Sequence, residues 1–281
     1  MSELVKRTLS GTVYVACIVG CILWDEKAVS ILLLLVSLLA VDEFHRLVKS
    51  HSLQRVYAAL GTVVLWMISV FFYESMFVLA FAAVYLTILV MSLLDEIWNH
   101  AERPLEVWGN MFISQLMIAA PILTMPLLYC LDKWLLLALF VLIWINDTGA
   151  YCVGTLTAKR PQGNHKMAPH VSPKKSWEGL FGGMAFAIGG AFILNRFGWF
   201  ESIQTADSSL WIAGLFGFFV SAFGTLGDLM ESLFKRSIGV KDSGRFLPGH
   251  GGVLDRFDSI LLASPILTAY SWLCYFIVPL L

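Results

Sequence analysis

The sequence predicts an all-α, polytopic integral membrane protein of about nine transmembrane helices, with its N-terminus in the cytoplasm and its C-terminus on the opposite side. Of the 281 residues, 58% are hydrophobic and only 14% are charged. A soluble globular domain is typically about 45–50% apolar and about 25% charged, so this composition excludes that class and also a disordered chain. The formal charge of −1 argues against nucleic-acid binding through bulk positive charge.

Nine apolar runs account for the predicted helices, since a helix needs about 20 mostly apolar residues to cross the hydrocarbon core. The runs are Leu9–Trp24, Ala28–Val41, Val56–Phe72, Met76–Leu94, Val107–Tyr129, Trp134–Val153, Trp177–Leu194, Leu210–Leu226 and Ser259–Leu281. Only residues 25–27 separate the first two runs, which predicts a tight helical hairpin. The runs lack the alternation of polar and apolar residues that a membrane-barrel strand requires.

The positive charges support this number of helices and their orientation. With nine spans and a cytoplasmic N-terminus, 16 of the 19 lysines and arginines fall on the cytoplasmic side, and only Lys27, Lys133 and Arg196 fall opposite. This is the bias that the positive-inside rule expects. Ten of the 16 lie in two polar segments, residues 154–176 after the sixth span and residues 227–258 after the eighth.

The N-terminus allows a second interpretation. Ile18–Cys21 faintly resembles a lipoprotein cleavage box, but a second apolar run follows almost at once, which favours an uncleaved first span. All five cysteines fall within predicted spans, without the spacing of a metal site or of a disulfide framework.

Ionisable residues inside or at the edge of a span are functional candidates, because a charge is costly at membrane depth. They are Asp147, Glu178, Asp228 and Glu231. On a helix, the last two share one face with Ser232 and Lys235 at helical spacing. Carboxylates bind Mg²⁺ and lysine binds phosphate, but a solvated helix end with internal charge pairs would show the same pattern. Both interpretations stay open for this face alone.

The segment that follows, residues 241–258, is dense in groups that bind phosphate or cations. Its glycines permit close approach of backbone N–H groups to phosphate oxygens, and its basic side chains can neutralise phosphate charge. The glycines are Gly249, Gly251 and Gly252, and the basic side chains are Lys241, Arg245, His250 and Arg256. Asp255 and Asp258, three residues apart, precede the last span and are candidate caps or cation ligands. We interpret this segment as functional.

The earlier polar segment has a similar composition. Lys166, Lys174 and Lys175 form a cationic patch, for which nonspecific attraction to anionic lipid is the alternative interpretation. Ser172 or Ser176 is expected to cap the seventh span. The histidines at positions 45, 51 and 100 lack partner spacing, and the acids at positions 42 and 43 are interpreted as marking the end of a span.

These residues resemble a known family. Ser232–Arg236, followed by Lys241-Asp242 and by His250–Asp258, resembles the signature of the phosphatidate cytidylyltransferase (CDP-diacylglycerol synthase) family. Asp147–Tyr151 and His165–Gly179 are similar to the same family, whereas the N-terminal half resembles it only in hydropathy and length.

The resemblance implies a phospholipid-biosynthetic enzyme of the bacterial inner membrane, with its active site facing the cytoplasm. It would transfer the CMP moiety of CTP to phosphatidate, giving CDP-diacylglycerol and pyrophosphate, by metal-assisted in-line transfer with the lipid phosphate as nucleophile. The resemblance also implies a homodimer. Residues 1–130 would then form an N-terminal region of about five spans, and residues 131–281 a C-terminal catalytic region.

The resemblance also implies three sets of site residues, whose roles neighbours could exchange. Ligands for Mg²⁺, alone or with a second cation, are expected to be Asp147, Asp228, Glu231, Asp255 and Asp258. The groups that meet the triphosphate or the leaving pyrophosphate are expected to be Lys235, Lys241, His250 and Arg256. The remaining substrate-binding residues are expected to be Lys166, Ser172, Lys175, Ser232, Gly251 and Gly252.

Two rival functions stay open at this point. A transporter or channel could use the same acids and histidine as an ion path, although the charges cluster at one membrane face and the sequence has no internal repeat. A CTP-dependent kinase of a dolichol-type lipid would use similar phosphate-binding groups on a different acceptor.

Overall fold

Helices make up most of the computed structural model, which describes residues 3–71, 75–99, 103–161, 163–204, 209–244 and 251–277. The residues cluster into two units. The first contains Met1–Leu127 and Asp242–Phe257, and the second contains Leu128–Lys241 and Asp258–Leu281. Each unit is described by itself below.

Within the described residues, eight helices are long and apolar enough to cross a membrane. They are Glu26–Leu47, Ser52–Val70, Met76–Ile97, Pro104–Leu131, Lys133–Ala158, Trp177–Arg196, Leu210–Ser237 and Leu254–Phe276. The last of these stretches includes two turn residues, 258 and 259. A ninth apolar stretch, Thr8–Trp24, is shorter. The prediction of an all-α polytopic membrane protein is confirmed, and the sides on which the termini lie stay a prediction.

The first unit is built from the N-terminal helices. They are α1 (Glu3–Trp24), α2 (Glu26–Leu47), α3 (Ser52–Val70), α4 (Ser75–Asn99), α5 (Pro104–Ile113), a π-helical segment (Ser114–Ala119) and most of α6 (Ala120–Leu131); the short helix α10 (Leu254–Phe257) belongs to the same unit. One residue, Asp25, separates α1 from α2, and its side chain accepts a hydrogen bond from the Lys27 N–H at 3.1 Å. This cap satisfies one of the free N–H groups at the start of α2, as the predicted hairpin requires.

Buried polar side chains hydrogen-bond between helices in this unit. His45 is 1% exposed and lies between the Ser50 hydroxyl at 2.8 Å and the Ser114 hydroxyl at 3.0 Å. The indole N–H of Trp66 donates to the Ser30 hydroxyl at 2.8 Å. Such bonds are a principal source of helix association where lipid surrounds the protein.

The second unit contains the longest helices and a short hairpin. Its elements are α7 (Lys133–Ala158), β1 (Lys166–Ala168), β2 (Ser172–Ser176), α8 (Trp177–Arg196), a 3-10 turn (Glu201–Ile203), α9 (Ser209–Ser237) and α11 (Ile260–Ile277). β1 and β2 are antiparallel, with Lys166 opposite Ser176 and Ala168 opposite Ser172. The Ser176 side chain accepts a hydrogen bond from the Gly179 N–H at 3.1 Å, so Ser176 is the residue that caps α8.

The first residues of both polar segments belong to helices. α7 continues to Ala158 and α9 continues to Ser237, so each helix extends several residues beyond its predicted apolar run. The Thr157 hydroxyl donates to the Val153 carbonyl at 2.8 Å, a bond that a polar residue makes within a helix. Hydropathy locates the apolar part of a helix, whereas the helix itself ends where its backbone N–H to C=O hydrogen bonds end.

Glycines allow the helices of the second unit to approach closely. A Cβ atom on Gly217 of α9 would lie 2.8 Å from the Ala187 carbonyl oxygen and 2.9 Å from the Ile188 Cα of α8. A Cβ atom on Gly183 of α8 would lie 2.8 Å from the Asn146 carbonyl oxygen of α7. Small residues at such contacts let backbones pack directly against each other, and this packing sets the spacing of α7, α8 and α9.

We expect Gly217→Ala to destabilise the protein by about 1–3 kcal/mol, because the added methyl group meets backbone atoms that cannot move independently. The measurement is thermal unfolding of the purified protein in detergent. Gly189→Ala on α8 is the matched control, because a Cβ atom there has nothing within 4 Å and alanine favours the helix. Equal melting temperatures for the two variants would contradict the close-packing argument.

Candidate functional site

A cavity of about 570 Å³ lies in the second unit, among α7, the β hairpin and α9. Its lining residues are Asn146, Asp147, Ala150, Tyr151, Gly154, Thr155, Ala158, Asn164, Lys166, Met167, Pro173, Lys174, Lys175, Ser176, Gly179, Leu180, Thr225, Asp228 and Ser259. This volume is within the range of small-molecule sites. Four of the predicted site residues therefore share one cavity: Asp147, Lys166, Lys175 and Asp228.

An ion pair joins the hairpin to α9 at the wall of this cavity. Lys175 Nζ of β2 lies 2.7 Å from Asp228 Oδ2 of α9 and donates to the Thr225 carbonyl at 3.4 Å. The Ser232 hydroxyl donates to Asp228 Oδ1 at 3.3 Å. Both oxygens of Asp228 are therefore engaged, and the Lys175 ammonium is held at a fixed place in the cavity.

Three of the predicted acids lie near a fourth, Asp258, in the second unit. The carboxyl group of Asp258 is close enough to Asp228, Glu231 and Asp147 to interact with their charges. Gly227 contributes to this arrangement, since a Cβ atom there would lie 2.6 Å from the Asp258 carbonyl oxygen. Asp258 Oδ1 accepts from the Ser259 N–H at 2.6 Å. A concentration of negative charge at one place is a setting in which a cation binds.

Glu231 and Lys235 form a second ion pair one turn further along α9. Lys235 Nζ lies 2.6 Å from Glu231 Oε2, and the two residues are 8% and 2% exposed. The predicted shared face of α9 is thus present, with an i,i+4 contact from Asp228 to Ser232 and another from Glu231 to Lys235. Charges this deeply buried need a partner of opposite sign. We name Asp147, Lys175, Asp228, Glu231, Lys235 and Asp258 together the carboxylate–lysine cluster.

A clamp at the start of α8 orients the hairpin that carries the lysines. Glu178 accepts hydrogen bonds from the His165 N–H at 3.1 Å, and its Oε1 lies 2.7 Å from His165 Nδ1. The Trp177 N–H donates to the His165 carbonyl at 3.0 Å. These contacts hold the two ends of the hairpin together. Glu178, which was a functional candidate because of its position at the edge of a span, therefore stabilises the hairpin.

Gly251 and Gly252 of the predicted signature lie in the first unit, in residues 251–257, which we name the glycine segment. Asp255 Oδ2 accepts from the Ser243 N–H at 2.9 Å and from the Gly252 N–H at 2.8 Å. Gly251 has φ +87°, a conformation that side chains other than glycine rarely adopt. Asp255 therefore accepts hydrogen bonds from the backbone of the glycine segment and from that of Ser243.

Asp255 and Asp258 do not share one continuous helix. α10 ends at Phe257, and two turn residues precede the first residue of α11, Ile260. The shared helical face that the D-x-x-D spacing suggested is therefore absent, because the chain turns between the two aspartates.

Glu43, on α2, is the residue that sequence reasoning missed. Its carboxylate accepts from the Val253 N–H at 2.9 Å, from the Leu254 N–H at 3.4 Å and from the Ser243 hydroxyl. A Cβ atom on Gly252 would collide with this carboxylate. The sequence did contain one indication of a functional role, because Glu43 is an acid at the end of a span, as Asp147 and Asp228 are. Its partners, about 200 residues away in sequence, were not visible.

The other predicted site residues are placed as follows. Lys166 is exposed on β1, Ser172 begins β2, and Lys241 is exposed after α9. Arg256 is exposed on α10, and its carbonyl accepts from the Tyr14 hydroxyl at 3.3 Å. The predictions for His250, Arg245 and Gly249 fall outside the described residues.

The predicted metal ligands do not form a compact three-residue site. Within the described residues, no three of these carboxylates place one oxygen each within 4.8 Å of one another; the group that meets this distance is His51, Asp95 and Glu96. The described carboxylates of the second unit therefore do not form a complete protein cage for a metal ion.

Comparison with known proteins gives one family and several relatives. The family described as the cytidylyltransferase family matches residues 5–274. Proteins named phosphatidate cytidylyltransferase from Staphylococcus epidermidis and Staphylococcus saprophyticus subsp. saprophyticus are 45% and 44% identical over 128 residues, which cover 46% of this chain and 45% of each relative. The protein of that name from Haemophilus influenzae is 43% identical over 144 residues, 51% of this chain and 46% of the relative. The matched region is about half the length of these curated relatives.

We expect Glu43→Ala to increase the mobility of the glycine segment, because the Val253 and Leu254 N–H groups would lose their acceptor. Hydrogen bonds to a charged acceptor contribute about 1.5–3 kcal/mol each, so amide exchange at Val253 and Leu254 should become about 10- to 100-fold faster. The measurement is hydrogen–deuterium exchange of the detergent-purified protein. Glu26→Gln, an exposed acid on the same helix, is the control and should leave exchange in residues 251–257 unchanged. Unchanged exchange in Glu43→Ala would refute the anchoring role of Glu43.

Proposed function

The chain belongs to the cytidylyltransferase family, and from this premise we propose that it transfers the cytidylyl group of CTP to phosphatidate, giving CDP-diacylglycerol and pyrophosphate. The observation that carries the proposal is the cavity in which Lys175 pairs with Asp228 beside two further lysines and a second acid, Asp147. The relatives' name, phosphatidate cytidylyltransferase, supports the choice of acceptor.

Both proposed substrates are polyanions, and the cavity offers matching charge. Lys166, Lys174 and Lys175 line it from the two strands of the hairpin. Lysine binds phosphate as a mobile point charge, so these side chains suit phosphates that must enter and leave. The aromatic and aliphatic lining, including Tyr151 and Leu180, suits the less polar parts of the substrates.

The reaction itself needs no nucleophile from the protein. A phosphate oxygen of phosphatidate attacks the α-phosphorus of CTP, a new P–O bond forms, and the bond from that phosphorus to the β-phosphate oxygen breaks to release pyrophosphate. The protein's work is to hold two anions in line and to neutralise the charge that develops on the transferred group. In this proposal Lys175 exchanges its contact with Asp228 for a contact with a substrate phosphate.

Mg²⁺ fits this donor set as a proposed cofactor. Asp228 and Asp258 would hold it, with Asp147 nearby, and substrate phosphates and water would complete its coordination. Mg²⁺ is usually bound by one or two carboxylates plus substrate phosphates, which agrees with the lack of three converging carboxylates among the described acids of this unit. When bound, Mg²⁺ supplies charge neutralisation at the phosphate oxygens.

The buried Glu231–Lys235 pair has a different proposed role. The 2.6 Å contact engages Glu231, so we assign this acid to positioning Lys235. Lys235, together with Lys241, Arg256 and His250, stays assigned to the triphosphate or the leaving pyrophosphate. In the first unit, Asp255 and Glu43 position the backbone of the glycine segment.

The location of the enzyme is part of the same proposal. We place the chain in a bacterial inner membrane with its substrate cavity facing the cytoplasm, where CTP is available, and we retain the homodimer as a prediction. The 16-to-3 distribution of positive charge in the predicted topology supports the orientation.

The activity is tested directly with purified protein in detergent, labelled CTP, phosphatidate and Mg²⁺. We expect equal amounts of CDP-diacylglycerol and pyrophosphate, and loss of both when the metal is chelated. A polyprenol acceptor in parallel tests the lipid-kinase alternative, and cation flux into liposomes without CTP tests the transport alternative. CTP consumption with the polyprenol alone, or flux without CTP consumption, would overturn the proposal.

We expect Asp228→Asn and Lys175→Ala each to lower kcat/KM by about 100-fold or more. Lys175→Ala removes a cation that would meet the transferred phosphate, and Asp228→Asn removes a carboxylate that would hold Mg²⁺. Glu201→Gln and Lys133→Ala are matched controls that make the same kinds of change elsewhere in the second unit and should retain activity. Melting temperatures of all four variants establish that they are folded. Full activity in folded Asp228→Asn and Lys175→Ala would refute the assignment of the cavity.

A further inference from the structure

We propose that the first unit holds a divalent transition-metal ion between His51, Asp95 and Glu96, where α3 begins and α4 ends. This site is distinct in composition from the carboxylate–lysine cluster, since one of its ligands is an imidazole. It does not depend on the proposed function, and nothing in the cytidylyl transfer requires it.

The three side chains already converge. His51 Nε2 lies 2.9 Å from Glu96 Oε1 and 4.0 Å from Asp95 Oδ2, and one ligand atom from each residue lies within 4.8 Å of the others. Zinc bonds of about 2.0–2.2 Å to nitrogen and oxygen place tetrahedral ligand atoms about 3.5 Å apart. Small side-chain movements are therefore enough to surround an ion, without any movement of the helices.

Glu96 gives the second, independent indication. Its side chain is 2% exposed, and Oε2 has no hydrogen-bond partner among the described residues. Oε1 accepts from His51 and from the Gln54 amide at 2.7 Å. A buried carboxylate oxygen without a partner is costly, and a metal ion would bind it.

Glu96 is also held in place by its neighbours. The Gln54 amide nitrogen donates to the Ser92 carbonyl at 2.8 Å, and the Ser92 hydroxyl donates to Gln54 Oε1 at 3.1 Å. Both residues are almost completely buried. Hydrogen bonds of this kind orient a ligating carboxylate and are usual around metal sites.

The proton on His51 can be accounted for. His51 Nδ1 accepts from the Gln54 N–H at 3.4 Å, which assigns the proton of the neutral ring to Nε2, facing Glu96. Metal binding uses the Nε2 lone pair, so this proton moves to Nδ1. The long contact from the Gln54 N–H is then lost, and neutral imidazole remains neutral.

The donor set selects the class of metal. One imidazole nitrogen with two carboxylates suits Zn²⁺ or Mn²⁺, whereas Mg²⁺ and Ca²⁺ prefer oxygen ligands alone. The His51 side chain is 38% exposed, which leaves one side of the site open to water and to metal entry. Bound metal would tie the start of α3 to the end of α4.

The test uses the untagged full chain in detergent after removal of metals by chelation. Calorimetric titration should show one equivalent of Zn²⁺ or Mn²⁺, bound at least 10-fold more tightly than Mg²⁺, and the melting temperature should rise with bound metal. Asp95→Asn and Glu96→Gln should each weaken binding at least 10-fold. Glu106→Gln, an exposed acid of the same unit, should bind normally.

Pulsed electron paramagnetic resonance of bound Mn²⁺ identifies the imidazole. We expect nitrogen coupling in the unmodified chain and its loss in His51→Asn, which keeps a good helix-capping residue before α3. Asp228→Asn should retain the coupling, and this separates the site from the proposed catalytic Mg²⁺.

Three results would overturn the proposal: no transition-metal binding, equal binding in Asp95→Asn and the unmodified chain, or absence of nitrogen coupling. Asp95 is the less buried of the two acids, so Asp95→Asn decides the matter even if Glu96→Gln fails to fold. In each of these cases, the hydrogen bonds of His51 and Glu96 would only cap the start of α3.

Discussion

Lys175 Nζ and Asp228 Oδ2 lie 2.7 Å apart, and much of the second unit is arranged so that this contact can exist. An aspartate on an apolar helix is costly at membrane depth unless a cation or hydrogen-bond donors accompany it. β2 carries the cation, Lys175, and the contact between Glu178 and His165 holds the hairpin in place. The Ser176 cap determines where α8 begins. The same requirement explains why Glu231 is buried with Lys235.

Close helix packing is what brings these charges to one place. Gly227 lets α9 approach the backbone of Asp258, and Gly217 lets α9 lie directly against α8. Acids on three separate parts of the chain thereby come within range of one another. The repulsion among these acids favours the lysines that accompany them, and under the proposed function it would also favour a bound metal ion. Structure and proposed chemistry thus depend on the same few contacts.

The sequence predicted the membrane class and the helices, and all six residues of the carboxylate–lysine cluster were among its candidate site residues. Hydropathy, the side of the membrane on which charges fall and helical spacing can each be evaluated locally along the chain. Asp228, Glu231 and Lys235 could be placed on one face of α9 for that reason. Glu43 could not be connected to the glycine segment, since its hydrogen bonds join residues about 200 positions apart. Asp255 and Asp258 seemed a natural helical pair, and the turn at residues 258–259 that separates them has no clear local signal. The hairpin was missed because three- and five-residue strands are too short for an alternation pattern.

The length of α9 has a consequence for how a lipid would meet the protein. A helix of 29 residues is about 44 Å long at 1.5 Å per residue, whereas the hydrocarbon layer is about 30 Å thick and the whole bilayer about 40–45 Å. An upright α9 would reach from one headgroup layer to the other, with Lys235, in the last turns of the helix, at headgroup level. Under the proposed function, a phospholipid that diffuses laterally up to α9 would carry its phosphate at that depth. It would not need to leave the bilayer, because its acyl chains would remain in hydrocarbon while the water-soluble substrate came from the aqueous side.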